Sequence, residues 1–241
     1  LYDPTCGSGS LLLKAAALAP RGITVYGQEM DIATVSMARM NMILHGMEEA
    51  DLRQGNTIAA PQFKDGDRLQ KFDFAVSNPP FSWKTWTNGY NAVTESKTFK
   101  RFELGTPPEK NGDYAFLLHV LTSLKSKGKA VIVLPHGVLF RGNKEAEIRR
   151  ELIRRGYIRA IIGLPANLFY GTGIAACLIM LDKEGAGSRK NIFLINAAKG
   201  FVKDGNKNRL RERDIHRIVD TFHEQHEIPG VSKSVPISEI A

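Results

Sequence analysis

Short apolar runs rich in β-branched residues alternate with amphipathic stretches along most of the chain. Tyr2 ends one such run, and the Leu/Ala-rich stretch 10–18 predicts a helix just after a glycine turn. Residues 23–28 alternate as a strand. A long helix to about Leu44 follows, with Asp31 as its N-cap and Gly46 as its stop. A buried strand over 72–77 runs straight into Asn78-Pro79-Pro80-Phe81. From Ser82 to about Gly112 the pattern lapses into a long polar loop holding Trp83, Trp86, Gly89 and Pro107-Pro108; loops of that length in a compact domain are usually functional. Asp113 then caps a helix to Leu124, followed by a strand over 129–134, a charged helix over 144–155 and a strand over 158–164.

Strands and helices alternating in this way predict an α/β fold, a mostly parallel sheet with helices on both faces. The last apolar runs, 175–181 and 192–195, lack intervening helices, which predicts an antiparallel hairpin at one edge. Residues 199–213 read as an exposed basic loop and 215–226 as an amphipathic helix. The chain is expected to form a single domain over 1–241, with 199–241 as its extension.

Composition narrows this picture without deciding it. The 241 residues carry 33 Lys+Arg and 25 Asp+Glu, a net charge of +8, and 43% are hydrophobic, which argues against extended disorder. The charge suits a nucleic-acid partner and equally a merely basic surface. No apolar run approaches the roughly 20 residues of a membrane span. Cys6 and Cys177 are too few for a disulfide scaffold or a zinc cluster, so no metal site and a reducing, cytoplasmic setting are expected. Leu1-Tyr2-Asp3-Pro4 is neither a start methionine nor a signal peptide; an excised piece with a clipped first strand is expected.

Two constellations carry chemistry. In Asp3-Pro4-Thr5-Cys6-Gly7-Ser8-Gly9-Ser10, at the hand-over from first strand to first helix, Gly7 and Gly9 permit a tight turn close to a ligand. Glu29 ends the second strand, where a carboxylate can accept from both ribose hydroxyls of a nucleoside. Leu12 fills the third position of the dinucleotide fingerprint, so the turn suits a zwitterionic tail whose ammonium Asp3 binds; the alternative is an ordinary strand–helix turn. The similar Gly171-Thr172-Gly173-Ile174-Ala175-Ala176 precedes no helix and reads as a hairpin turn. In the second constellation, the prolines of Asn78-Pro79-Pro80-Phe81 fix the backbone. The Asn78 side-chain oxygen and the Pro79 carbonyl can then accept from one planar amino group while Phe81 offers a face to a base; the alternative is a rigid loop with a buried Phe.

In this order and spacing the two motifs resemble the amino-group S-adenosylmethionine methyltransferases. The runs MNMILHG (40–46), GKAVIVLPHGVLF (128–140) and IGLPANLFYGTGI (162–174) resemble, more closely, the modification subunit of type I restriction–modification systems. The resemblance implies a Rossmann-like S-adenosylmethionine-dependent methyltransferase fold. It places Asp3, Pro4, Thr5, Cys6, Gly7, Ser8 and Gly9 on the methionine part of S-adenosylmethionine, Glu29 on its ribose and Met30 beside its adenine. Asn56, with Thr57 after it, stands where the family often has an Asp, and Ser82 stands where many relatives have Gly. Asn78, Pro79, Pro80 and Phe81 become the catalytic loop, methylating N6 of an adenine flipped out of duplex DNA. Double-stranded DNA, a specificity subunit, a second copy of the modification subunit and a restriction subunit are the implied partners; no membrane is implied. RNA or a protein glutamine nitrogen remain alternative substrates, and a non-catalytic cofactor-binding scaffold is the alternative to an enzyme.

Other residues have two readings. His45 and His136 lie beside apolar segments and read as structural before acid–base. Trp83 and Trp86 either contact DNA or anchor their loop; Arg149-Arg150 and Arg154-Arg155 form a solvated helix face or touch phosphate.

Overall fold

The computed structural model describes residues 1–169 and 171–240; Tyr170, inside the 162–174 run, and Ala241 lie outside the described residues. The first strand, β1 (Tyr2–Asp3), turns into helix α1 (Ser10–Ala17) and is followed by β2 (Tyr26–Glu29), α2 (Ile32–Leu44) and β3 (Asp51–Gln54). Next come β4 (Phe72–Ser77), α3 (Asp113–Thr122), β5 (Leu124–Pro135), α4 (Asn143–Arg154), β6 (Ile158–Gly163), β7 (Ala176–Asp182) and β8 (Asn191–Asn196). Helix α5 (Glu212–Glu224) and β9 (Ser232–Pro236) close the series. The main sheet runs β9-β8-β6-β7-β5-β4-β1-β2-β3. From β3 to β5 every neighbouring pair is parallel, so the carboxyl ends of β1, β2 and β4 open on one edge, where open α/β sheets bind their ligands.

Alternate residues of the strands feed opposite faces. Ala160, Ile162, Phe193 and Ile195 pack toward α5, and Val25, Leu52 and Cys6 toward α1 and α2. On the other face, Tyr2, Ala75, Ile158 and Ile192 join one core with α3 and α4. The mostly parallel sheet with helices on both faces is therefore as the periodicity predicts. The hairpin is present too: β7 runs antiparallel to β6. It sits inside the sheet, because β7 also pairs antiparallel with β5, while β8 runs parallel to β6 and β9 antiparallel to β8 beyond it. Strands β3 and β9 leave little trace in the sequence. Both are edge strands, and DLRQ and SKSVP bury one residue each, Leu52 and Ser232.

The polar stretch 82–112 is not a bare loop. It holds a helical turn (Ala92–Thr94) that runs into a π-helical turn (Glu95–Phe99), and it meets α3 through Trp83 and Arg101. Trp83 stacks on Phe116 at 5.9 Å, which lets α3 be buried from Asp113 to Leu121. The expected basic loop is also built: Val202–Asp204 pairs with Lys207–Arg209 as a short hairpin. That hairpin is latched to the 164–175 connection through Asn208, whose backbone N–H donates to the Asn167 carbonyl at 2.9 Å. No described helix is long and apolar enough to cross a membrane.

Candidate active site

The glycine turn is held in place by backbone bonds. The Cys6 N–H donates to the Gln28 carbonyl at 3.0 Å and the Gly9 N–H to the Cys6 carbonyl at 2.8 Å. Gly7 (φ 53°) and Gly9 (φ 78°) are both left-handed, a region that L side chains disfavour. A Cβ on Gly9 would stand 2.7 Å from the Met42 methyl, so this glycine also sets how closely α2 packs. A Cβ on Gly7 would meet nothing within 4 Å; the space in front of it is open.

Glu29 closes the turn from the neighbouring strand. One carboxylate oxygen accepts from the Gly7 N–H at 3.1 Å and the other from the Asp31 N–H at 3.0 Å. Asp31 in turn caps α2, accepting from the Thr34 N–H and hydroxyl, both at 2.7 Å, as its position in the sequence predicts. Glu29 is thus oriented before any ligand arrives. Asp3 is 1% exposed, and its carboxylate accepts from the Thr5 N–H at 2.9 Å. Burial pushes this carboxyl up to about 7, against the Thr5 hydrogen bonds and with Glu29 adding to the rise. A cation placed beside Asp3 would relieve that cost. Burial likewise raises the Cys6 thiol well above its usual range, which leaves it protonated and inert.

The remaining cofactor candidates gather round this turn. Thr57 donates from its hydroxyl to the Pro4 carbonyl at 2.5 Å, which fastens the 55–60 segment to the turn. The Asn56 side-chain oxygen accepts from the N–H groups of Ile58 (3.0 Å) and Ala59 (3.2 Å); its amide nitrogen has no partner among the described residues. Met30 is exposed at the lip, its carbonyl held by the Gln54 side chain at 2.8 Å. The Ser8 hydroxyl bonds to that of Ser10 at 2.9 Å at the mouth of α1.

The second constellation meets the first at Ser77, whose hydroxyl bonds that of Thr5 at 2.9 Å. Ser77 is the residue before Asn78, so the end of β4 is tied directly to the glycine turn. Asn78 is exposed, and its amide makes no hydrogen bond among the described residues. Pro79 is buried behind it and Pro80 is exposed. Phe81 is half-buried, and its ring meets Phe169 edge-to-face at 5.8 Å, so the 164–175 connection flanks the loop. Among the described residues no group of three or more metal-binding side chains comes together.

How the loop is held leaves no local pattern in the sequence. Asp113 is not the N-cap of α3; that position belongs to Gly112, and Asp113 is the first helical residue, fully buried. Its carboxylate accepts from the Ser82 N–H at 2.7 Å and from Arg141 at 2.5 Å. Arg141 also bonds Glu145, again at 2.5 Å. Ser82 (φ 52°) follows Phe81 directly, so this buried carboxylate pins the exit of the Asn-Pro-Pro-Phe loop. The available signal was an acidic residue on the apolar face of an otherwise hydrophobic helix.

Trp86, 1% exposed, donates its indole N–H to the Pro108 carbonyl at 2.9 Å and is a loop anchor. Arg149 is spent on the Val138 and Arg141 carbonyls, and Arg154 and Arg155 on Glu151. His45 is exposed and bonds the Asn41 carbonyl at 2.9 Å. His136 keeps one buried, unpartnered ring nitrogen and stands beyond the end of β5.

A family model described as N-6 DNA Methylase matches residues 1–241. The type I restriction enzyme MpnII methylase subunit of Mycoplasma pneumoniae is 34% identical over 251 residues, covering 100% of this chain and 46% of its own length. The MjaVII methylase subunit of Methanocaldococcus jannaschii is 33% identical, covering 100% of this chain and 43% of its own. The crystal structure of a type I restriction-modification system methyltransferase subunit from Streptococcus thermophilus is 37% identical with a TM-score of 0.89, covering 99% of this chain and 51% of that one. The chain therefore spans about half the length of the relatives it matches.

Proposed function

Because the chain belongs to the N-6 DNA methylase family, we propose that it is the catalytic core of a type I modification subunit, methylating N6 of adenine in duplex DNA. The methyltransferase family and fold imply use of S-adenosylmethionine, which supplies the electrophilic methyl group when bound. The residues present fit that cofactor: open space before Gly7, a buried carboxylate at Asp3 that gains from a nearby ammonium, and Glu29 already oriented by two backbone N–H groups. In this reading Asp3 and the 4–9 turn hold the methionine part, Glu29 the ribose hydroxyls, and Met30 a face of the adenine. At Asn56 the side-chain oxygen already serves two backbone N–H groups. Its two acceptor positions are thereby taken, and the adenine amino group is not assigned to it.

The observation that carries the proposal is the Thr5–Ser77 bond, which fixes a free, exposed Asn78 amide beside the cofactor turn. The lone pair of adenine N6 is delocalised into its ring. The Asn78 side-chain oxygen and the Pro79 carbonyl accept from the two N–H bonds of that amino group, direct its lone pair and favour the positive charge that develops there. Phe81, with Phe169 at its edge, gives the base a stacking face that offsets part of the few kcal/mol lost on flipping. Direct displacement needs no covalent enzyme intermediate. Double-stranded DNA, a specificity subunit and a second modification subunit complete the proposed assembly, with a restriction subunit as a further partner; the matched relatives are named as subunits of restriction enzymes.

The test is Asn78→Ala in the full-length, assembled enzyme. Labelled methyl transfer is measured on duplex DNA, RNA and protein, and cofactor affinity by calorimetry. Transfer to duplex DNA should fall on the order of a hundredfold or more with cofactor affinity unchanged. Undiminished DNA methylation, or wild-type transfer to RNA or protein in place of DNA, overturns the assignment.

A further inference from the structure

Helix α3 has the catalytic loop at one end and a second, separate cavity at the other. It runs ten residues, about 15 Å. Asp113 at its start holds Ser82, while Thr122 at its end lines a polar cavity of about 560 Å³. Arg68, Lys71, Lys97, Lys100, Arg155 and Lys183 converge on this cavity from four separate stretches of chain, facing only Asp67 and Glu103 among its acidic lining residues. None of Arg68, Lys71, Lys97, Lys100 and Lys183 has a carboxylate at ion-pair distance among the described residues; Arg155 reaches Glu151 at 3.4 Å.

Two of these cations have a structural use. Lys71 donates to the Thr122 carbonyl and Lys183 to the Leu124 carbonyl at 3.0 Å, which satisfies acceptors where α3 passes into β5. That role does not account for Arg68, Lys97 and Lys100 on the same cavity. Burial, then the charge of Lys71, lowers Lys183 to about 8; burial, then Arg68, lowers Lys71. Six cations thus gather round one hollow with two carboxylates in its lining, and the mutual repulsion felt by Lys71 and Lys183 is a cost that an anion would relieve. The volume is that of a small-molecule site, and the rings of Phe99 and Tyr157 line it alongside the cations.

We propose that this cavity binds a compact ligand carrying two or more phosphate groups: a nucleoside di- or triphosphate, or inorganic polyphosphate. The convergence of cations around a hollow, and not along a ridge, favours such a ligand over a nucleic-acid backbone. The site stands apart from the methyl-transfer reading and does not depend on it.

Calorimetric titration of the full-length protein with inorganic tripolyphosphate and with a nucleoside triphosphate tests this. Saturable binding at one site is expected. It should weaken about tenfold or more in the double variant Arg68→Glu/Lys97→Glu, since a charge-assisted contact is worth roughly a factor of ten. Neither side chain makes a hydrogen bond among the described residues, so fold and cofactor affinity should be unchanged. Tighter binding of the nucleotide than of tripolyphosphate places its base on Phe99 or Tyr157; equal binding makes phosphate alone the determinant. Absence of saturable tripolyphosphate binding overturns the proposal. So does binding that the double variant leaves intact while its affinity for duplex DNA falls, which would assign these cations to a nucleic-acid backbone.

Discussion

Asp3 and Asp113 are both buried carboxylates, and their surroundings give them opposite tasks. Asp113 is matched by the Ser82 N–H and Arg141, so it works as a fixed anchor. Asp113→Ala should leave cofactor affinity intact and lower the turnover of DNA methylation by roughly tenfold or more, about the value of one lost charge-assisted hydrogen bond. Asp113→Glu, which keeps the charge but moves it, should recover only part of that rate. Equal losses of cofactor binding and turnover would show that the carboxylate merely supports the fold. Asp3, by contrast, has no cationic partner among the described residues, and burial holds its carboxyl at about 7. A cationic ligand group binds the ionised form, so S-adenosylmethionine affinity should rise as pH increases from about 5.5 to 7. It should fall again above about 8, as the ligand's own α-amino group loses its proton. Asp3→Asn should weaken binding and abolish the acid limb; a pH profile identical to wild type would contradict the assigned partner.

The stretch 82–112 shows why a polar sequence can conceal a rigid element. Its anchors are single residues far apart, Trp83, Trp86, Glu95 and Arg101, with none of the periodicity that marks a helix or a strand. The Glu95–Arg101 pair is buried (side-chain exposures of 4% and 1%) at 2.5 Å. Arg101 also donates to the Thr57 and Ile58 carbonyls and contacts His119. It therefore ties this stretch to the segment carrying Asn56. Removing one partner of a buried ion pair costs about 3–5 kcal/mol, so Glu95→Ala should lower the melting temperature by roughly 10 °C in differential scanning calorimetry. A change within about 2 °C would mean the pair contributes no more than a surface bridge. The same limit on local reading explains β3 and β9. Edge strands bury few residues, and only their neighbours, β2 and β8, hold them in the sheet. The glycine turn, Glu29, the Asn-Pro-Pro-Phe loop and the interior strands were all legible, because each is a contiguous pattern with a local physical cause. Asp113 was not, because its partners Ser82 and Arg141 are 31 and 28 residues away.

Charge shows the same limit over the full length of the chain. The net +8 looked most concentrated at 199–213, yet Arg209 and Arg211 there are paired with Asp204 and Asp214. Five cations without an ion pair among the described residues, Arg68, Lys71, Lys97, Lys100 and Lys183, collect from distant stretches at the far end of α3. Folding also joins strands from both halves of the sheet in one core. Tyr2, on the short β1, stacks on Phe72 at 4.3 Å and bonds His119 at 3.0 Å, and that same core continues through α3 and α4 to Ile192 on β8. A ligand on the turn that follows β1 should therefore stabilise the sheet as a unit. At a hundredfold excess over its dissociation constant, a ligand adds about 2.7 kcal/mol. S-adenosylmethionine at that level should raise the melting temperature by roughly 5–10 °C as a single, undivided transition. Two transitions of which only one moves would show instead that the strands beyond β5 unfold independently. The continuity of the Tyr2–Ile192 core would then be too weak to couple the cofactor turn to the far edge.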